Sequence, residues 1–426
     1  MPDRRTFFRR AGAGAAAAAL LDARALFANR LSDVERRSRS RDSFSSLAEE
    51  YLLGPDVLYL NHGSIGTIPR AVHEARRRYL TLCETNPWLY MWGGAWDEAR
   101  EATRAKAAAL LRCDATEVAF THNTTEAFNL LALGLPLRPG DEVLFSSLNH
   151  PGASNAWTHN AARRGYTVRR FELPIAAVPE MSADELVERH VREITDRTRV
   201  LVIPHVDNTV GMQHPVHALA AAARSRGVDY IAVDGAQALG MLPVDVGEDG
   251  IDFYAASPHK WLQAPKGLGL LYVRTAVRDT LHPMWVSSGQ GQGRDTARVF
   301  EDYGTRNLAE VLTLGDAIDF QQALGEDAKV HRYRVLRDSL LEATDGSPHL
   351  RWHSPRDPEL FSSIVLIEVL GRSSGDLFDA LYRGHGVVFR AFHTPEVDAA
   401  RISPNVQTTD AEISRFLTLV EQAANG

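Results

Sequence analysis

The chain has 426 residues, 44% of them hydrophobic and 24% charged, with a formal net charge of −7 at neutral pH. That length and apolar content suit a large core divided between two globular units, as in a soluble enzyme. The acidic balance offers no basic field for a polyanion, which speaks against nucleic-acid binding and leaves the charge to serve solubility.

The N-terminus differs from the rest. DRRTFFRR (Asp3 to Arg10) precedes the run AGAGAAAAALL and then small residues around Ala23 to Ala28. The arginine pair, the weakly apolar stretch and the A-x-A-like site resemble a twin-arginine export signal over residues 1–30, which implies a periplasmic or otherwise exported protein that leaves the cytoplasm folded. The apolar stretch is too short and too rich in alanine for a stable membrane anchor. Residues 31–49, with DVERRSRSRD within them, have the composition of a solvated linker. Cys83 and Cys113 are the only cysteines, and their spacing matches no zinc or redox motif, so they are expected as two buried thiols and no metal site is expected.

From Asp141 onward, short apolar runs (EVLFSS, TRVLVIPHV, DYIAVDGAQ, DFYAASPHK, LGLLYVR) alternate with helix-like stretches such as SNAWTHNAARRG and HALAAAARSRG. This predicts an α/β fold with a mostly parallel sheet and helices on both faces. Ligands of such sheets sit at the carboxyl ends of the strands, which draws attention to the polar residues there: His150, Asn208, Asp234 and Lys260. Beyond about Pro283, long helical stretches followed by SSIVLIEVL and VVFRAF predict a smaller α+β unit. The expected division is a large domain over 50–285 and a small one over 286–426.

Of 47 lysines and arginines only four are lysine (Lys106, Lys260, Lys266, Lys329), and two of these stand within SPHKWLQAPKG, Ser257 to Gly267. A surface could use either residue, but only a lysine amine can lose its proton and attack a carbonyl. A pyridine-aldehyde cofactor would need such a lysine, an acid to keep its ring nitrogen protonated, and a helix N-terminus with hydroxyls for its phosphate. Lys260 and Asp234 close neighbouring strands, and Thr124 and Thr125 in THNTTEAFNLLALGL open an amphipathic helical pattern. Lys266 is expected to be structural. The GQGQG at Gly289 to Gly293 lacks the strand-turn-helix setting of a dinucleotide loop.

SPHKWLQAPKGLGLLYV resembles the lysine motif of the class V aminotransferase family, pyridoxal-phosphate enzymes of fold type I, and HKWL-x-APKG is similar to its isopenicillin N epimerase-like branch. LNHGSIGTIPRAV, HVDNTVG, VDGAQALG, YGTRN and RISPNVQTTDAEI resemble further family motifs, in family order across roughly residues 50 to 415. The resemblance implies pyridoxal 5′-phosphate held by Lys260 as Schiff-base lysine and proton shuttle and by Asp234 at the ring nitrogen. Gln237 with Asn208 or Thr209 would meet the ring oxygen, and His150 would stack on the ring. Thr124, Thr125, Ser257 and His259 would bind the phosphate, joined by Thr305 from a neighbouring subunit, so that a homodimer is the expected working unit. Arg401 would clamp a substrate carboxylate.

The cofactor motifs do not select the reaction. Cysteine desulfurases of this family use a cysteine in a C-terminal loop, where this chain has FRAFHTPEV with Thr394 and no cysteine, which disfavours that chemistry. His393 is either a second proton donor, as a racemase needs opposite Lys260, or a packed loop histidine. Epimerisation, amino transfer and elimination remain open, with export pointing to an amino acid or a secreted peptide such as a siderophore precursor. A non-catalytic cofactor-binding protein is the contrasting reading, but the lysine, the aspartate and the arginine it would be expected to lose are all present.

Overall fold

A computed structural model describes residues 27–28, 30–32, 34–35, 44–247, 250–287 and 295–425. Almost all of the expected export signal over 1–30, part of the 31–49 linker, and Gly289 to Gly293 lie outside the described residues.

The strands in chain order are β1 (Leu58–Tyr59), β2 (Val118–Thr121), β3 (Glu142–Ser146), β4 (Thr167–Phe171), β5 (Thr198–Pro204), β6 (Tyr230–Asp234), β7 (Phe253–Ala256), β8 (Gly269–Val273), β9 (Leu350–Trp352), β10 (Val365–Val369), β11 (Val387–Val388), β12 (Arg390–His393) and β13 (Asp398–Ile402). Seven of them form one sheet in the order β2-β8-β7-β6-β5-β3-β4. The four pairings β7–β6, β6–β5, β5–β3 and β3–β4 are all parallel, while β8 runs antiparallel to both β7 and β2. The expected mostly parallel α/β sheet is therefore present. β8 reverses because the chain between Ala256 and Gly269 contains no helix to carry it back over the sheet, as a parallel return requires.

Central strands are buried on both faces, so β5, TRVLVIP, is apolar almost throughout rather than alternating. The edge strand β4, TVRRF, carries two adjacent arginines and is mostly exposed, which is why the apolar-run reading passes over it. Asp252, fully buried before β7, accepts from the Ile231 N–H at 2.8 Å, from Arg274 at 2.5 and 2.9 Å, and from Arg224. One carboxylate thus joins β6 and the ends of β7 and β8 to the helix Val216–Ser225.

The second sheet is antiparallel, in the order β12-β13-β10-β9. Helices Glu326–Asp345 and Asp410–Asn425 bury Leu336, Leu340, Phe416 and Val420 against its Val365 and Ile367. β1 pairs in parallel with β11, Leu58 opposite Val387, so the chain passes through the C-terminal part of the molecule at residues 58 and 59. Immediately afterwards Asn61 bridges to Ser403, and the loop NHGSIG (61–66) crosses to the carboxyl ends of the large sheet.

Candidate active site

Register places the site. Pro204 of β5 lies opposite Asp234 of β6, and Asp234 opposite Ala255 of β7, so these strands finish level. The loops that follow bring His150, Asn208, Asp234, Gln237 and Lys260 around one small cavity, together with Pro204, Val206 and Ala236. All four strand-end residues singled out in the sequence meet there.

Lys260 brings an amine into this cleft. Lost hydration, with Arg401 adding positive charge, pulls its pKa down to about 8 against the pull of Asp234, so a usable fraction is neutral near physiological pH. Asp234 is buried, and one of its oxygens accepts the Ala236 N–H at 3.0 Å, which leaves the carboxylate fixed at the strand end. His150 precedes the helix Pro151–Arg164, and its Nδ1 accepts the Gly152 N–H at 2.9 Å, so the ring is the Nε2–H tautomer at the exposed mouth of the cleft. Lost hydration and then the charges of Lys260 and Arg401 lower its pKa, opposed by Asp234, and keep it neutral.

A second cluster has the chemistry of a phosphate cradle. Thr124 and Thr125 begin the helix Thr124–Gly134, capped by Asn123, whose side chain accepts the Glu126 N–H. Ser257 Oγ lies 3.0 Å from the Thr124 N–H and 2.8 Å from Thr124 Oγ1. The one acid of that first turn, Glu126, is turned to the His122 N–H and ring at 2.5 and 2.7 Å. His259 Nδ1 is buried and has no partner, which an anionic oxygen would supply. Burial first, then Lys260 and Lys266, hold His259 neutral with a pKa of about 4, so it meets such an oxygen as an N–H dipole.

Arg401, on β13, is buried and fixed on two sides. Nη1 donates to the Asn208 carbonyl at 2.7 Å, Nη2 to Asn61 Oδ1 at 3.0 Å and Ser64 Oγ at 2.5 Å, while Nε has no partner. Burial, and Arg390 opposite it on β12, lower its pKa to about 10, against Asp207 and Tyr59; it stays charged at neutral pH. Asp207 in turn accepts the N–H groups of Thr209, Val210 and Met212 at 2.6 to 2.8 Å, holding the loop that carries Asn208 and Thr209. Gln237 has its oxygen taken by the Trp261 indole N–H and one amide hydrogen by the Gly63 carbonyl, both at 2.8 Å; its other amide hydrogen is left for a ligand oxygen.

The loop 61–66 ties these parts together, and none of its residues is expected at the site from residue type and placement alone. Its Gly66 N–H donates to the His259 carbonyl at 2.9 Å, and a Cβ there would lie 2.0 Å from the Lys260 carbonyl oxygen, so only glycine lets the loop approach the lysine turn. The available sign was two glycines spaced among polar residues with neither helical nor strand period.

Other expected residues lie elsewhere. Thr305 is exposed in a surface cleft with Trp92, Arg298 and Glu301. His393 stands at the other end of the β12–β13 pairing from Arg401, opposite Asp398, with its side chain 80% exposed and Nδ1 3.3 Å from that carboxylate. Lys266 is exposed. Cys83 and Cys113 are unpaired and half-buried rather than fully buried, because each lies at a helix end on the margin of a core cluster. Among the described residues no group of acids, histidines and cysteines could hold a metal ion, and no helix is long and apolar enough to cross a membrane.

The family described as Aminotransferase class-V matches residues 58–416. The chain belongs to that family. It is 32% identical over 386 residues to an isopenicillin N epimerase of Streptomyces clavuligerus, covering 86% of this chain and 94% of the relative. The cysteine desulfurase CsdA of Escherichia coli, in its S-sulfonic acid form, superposes with a TM-score of 0.78 at 25% identity, over 90% of this chain and 98% of that one. A C-DES mutant with glycine covalently linked to its PLP cofactor has the same fold, with a TM-score of 0.76 at 21% identity, over 86% of this chain and 97% of that one. The cofactor is pyridoxal 5′-phosphate, and the residues fit it: an amine of lowered pKa, an acid at a strand end, and a helix N-terminus beside an orphaned histidine nitrogen. Lys260 would hold its aldehyde carbon, Asp234 its ring nitrogen, and Thr124, Thr125, Ser257 and His259 its phosphate. When bound it supplies an electron-withdrawing ring that eases bond breaking next to a substrate amine.

Proposed function

We propose that this protein acts on the amine-bearing carbon of an amino acid or peptide with a free carboxylate, by epimerase-type or aminotransferase-type proton movement. The supporting observation is the pairing of Lys260 with Arg401 around one cleft in a chain that has no thiol there. Arg401 keeps Nε free for a carboxylate, and Lys260 is the amine able to take or return a proton at the adjacent carbon. Neither cysteine suits sulfur transfer. Cys113 is pushed up to about 12, first by burial and then by Glu117, Asp114 and Asp245, and Cys83 is also raised, by burial and Glu84, so both are protonated thiols. At the corresponding loop Thr394 Oγ1 accepts the Val397 N–H at 3.1 Å within its own turn. His393 could serve as the second proton donor only if the β12–β13 hairpin turned it inward.

We further propose that the working unit is a homodimer in which Thr305 reaches the partner's phosphate site. Exposed Trp92, at 65%, lines the Thr305 cleft and gives that face an apolar anchor. The export motif favours action outside the cytoplasm, on a secreted peptide such as a siderophore precursor. To test the reaction, purified protein is incubated in deuterium oxide with a panel of amino acids and peptides. Deuterium in an unchanged skeleton identifies epimerisation, and conversion of the cofactor to its pyridoxamine form identifies amino transfer. Release of sulfide or of a keto acid without either change would overturn the proposal in favour of a lyase.

A further inference from the structure

Lys329, the second buried lysine, takes no part in the cleft, yet it ends a polar chain that runs to it. Its Nζ donates to Gln321 Oε1 at 3.1 Å and to the Gly240 carbonyl at 3.2 Å. Gln321 Nε2 donates to Gln263 Oε1 at 2.8 Å, which also accepts the Tyr51 hydroxyl at 2.7 Å. Gln263 Nε2 donates to Gln407 Oε1 at 3.1 Å, and Gln407 Nε2 reaches His62 Nε2 at 2.8 Å and Thr67 Oγ1 at 3.0 Å. His62 Nδ1 faces the Ser403 carbonyl at 3.2 Å. Lys329, Gln321, Gln263, Gln407 and His62 are all buried, and Gln263 adopts φ 59°, a left-handed conformation unfavourable outside glycine.

The chain has a direction. An ammonium can only donate, a carbonyl can only accept, and each glutamine has one end of each kind. With Lys329 charged, the three amides are satisfied in one sense, which delivers an N–H to His62 Nε2 and makes His62 the neutral Nδ1–H tautomer. Protonating His62 would set its Nε2–H against the amide hydrogens of Gln407. Rotating Gln407 passes the conflict to Gln263 and then to Gln321, where an N–H would face the ammonium. The conflict clears only if Lys329 loses its proton.

We propose that Lys329 and His62 are coupled positioning residues: the three-glutamine chain lets only one of them be charged, and the Lys329 ammonium holds His62 neutral. His62 lies between Asn61, which holds Arg401, and Gly63, which holds Gln237, so its neutrality keeps a further positive charge out of that loop. That consequence rests on the proposed roles of Arg401 and Lys260; the coupling does not. Other groups act in the same sense. Lys266 disfavours a charge on His62 and Glu326 favours one on Lys329, while the Tyr59 ring packs edge-on against His62 at 4.9 Å and Thr67 Oγ1 lies 3.3 Å from its Nε2. Burial lowers both residues, His62 to about 3 and Lys329 to about 8.

The test uses holoenzyme labelled with ¹⁵N-histidine, with the His62 resonances assigned by their loss in His62→Gln. In the wild type His62 should remain the Nδ1–H neutral ring down to about pH 5. In Lys329→Met the amides are free to rotate, Gln407 can present its oxygen to Nε2, and the His62 pKa should rise by about one unit or more. Lys329→Arg, which also only donates, should leave it unchanged. A wild-type His62 that is the Nε2–H tautomer or a cation at neutral pH would overturn the proposal, and so would an unshifted titration in Lys329→Met. The wild-type tautomer tests the direction of the chain even if the methionine variant does not fold, and neither result depends on where the cofactor attaches.

Discussion

The roles proposed for Lys260 and Arg401 in the cleft predict different responses to pH and to substitution. With a Lys260 pKa of about 8, capture of added pyridoxal phosphate by the apoenzyme should accelerate from about pH 7 to about pH 9 and then level off as the amine loses its proton. Stopped-flow absorbance reads this, and a rate flat across that range would contradict the assigned pKa. Arg401→Lys replaces a planar fork, held by Asn208, Asn61 and Ser64, with a point charge that cannot keep those partners and still meet a carboxylate. Loss of one charge-assisted hydrogen bond is worth about 2 kcal/mol, roughly thirtyfold in the dissociation constant of a carboxylate-bearing amine. Spectral titration of the cofactor band with amino acids measures it, and an unchanged affinity would remove Arg401 from the substrate site. Lys260, Asp234 and His150 were legible because their residue types are scarce or costly at strand ends, whereas Arg401, one of many arginines, was legible only through the family resemblance of RISPNVQTTDAEI. Asn61, Ser64 and Asp207 were not, since each acts by holding a neighbour, and a polar residue in a loop has many ordinary uses.

Among elements, the loop 61–66 and the strand ends of the large sheet decide the geometry. Asp252 keeps those strands level, and it is the sole acid on both Arg224 and Arg274 in the ion pairs of the described residues. Asp252→Ala would leave the Arg274 guanidinium and the Ile231 N–H without their acceptor and leave Arg224 with backbone carbonyls only, and should cost about 3–5 kcal/mol. The urea midpoint at pH 7.5 reports this; a loss below about 1 kcal/mol would show that water or rotation replaces the acid. β3, β5, β6, β7 and β8 follow from apolar runs that only a doubly buried strand explains. β4 did not, because an edge strand needs only one covered face, and β1 did not, because two residues carry no period. The antiparallel β8 depends on the missing crossover helix, which is visible in the sequence only as a short gap.

At the scale of the whole molecule, buried neutral histidines make stability sensitive to acid. Burial lowers His62 to about 3, His190 and His205 to about 4, and His214 and His259 also fall below the ordinary value near 6.5. Between the folded and unfolded pKa values the unfolded chain binds more protons, so this stability is present above about pH 6.5 and is lost as pH falls toward about 4. Asp207, raised to about 6, and Asp316, raised to about 7, both by burial, act in the opposite sense, since the folded chain holds their protons longer. The histidines outnumber them, and the urea midpoint should be lower at pH 5 than at pH 7.5; a higher midpoint at pH 5 would reverse that balance.

The large sheet, the proposed phosphate cradle and the proposed carboxylate clamp all converge on one amine. Borohydride reduction of the purified holoenzyme, followed by proteolysis and mass-spectrometric peptide mapping, tests that convergence most directly. A reduced pyridoxal-phosphate adduct is expected on Lys260 and none on Lys106, Lys266 or Lys329, with no adduct at all in Lys260→Ala. An adduct on another lysine in the wild-type protein, or a protein that never retains the cofactor, would contradict that convergence.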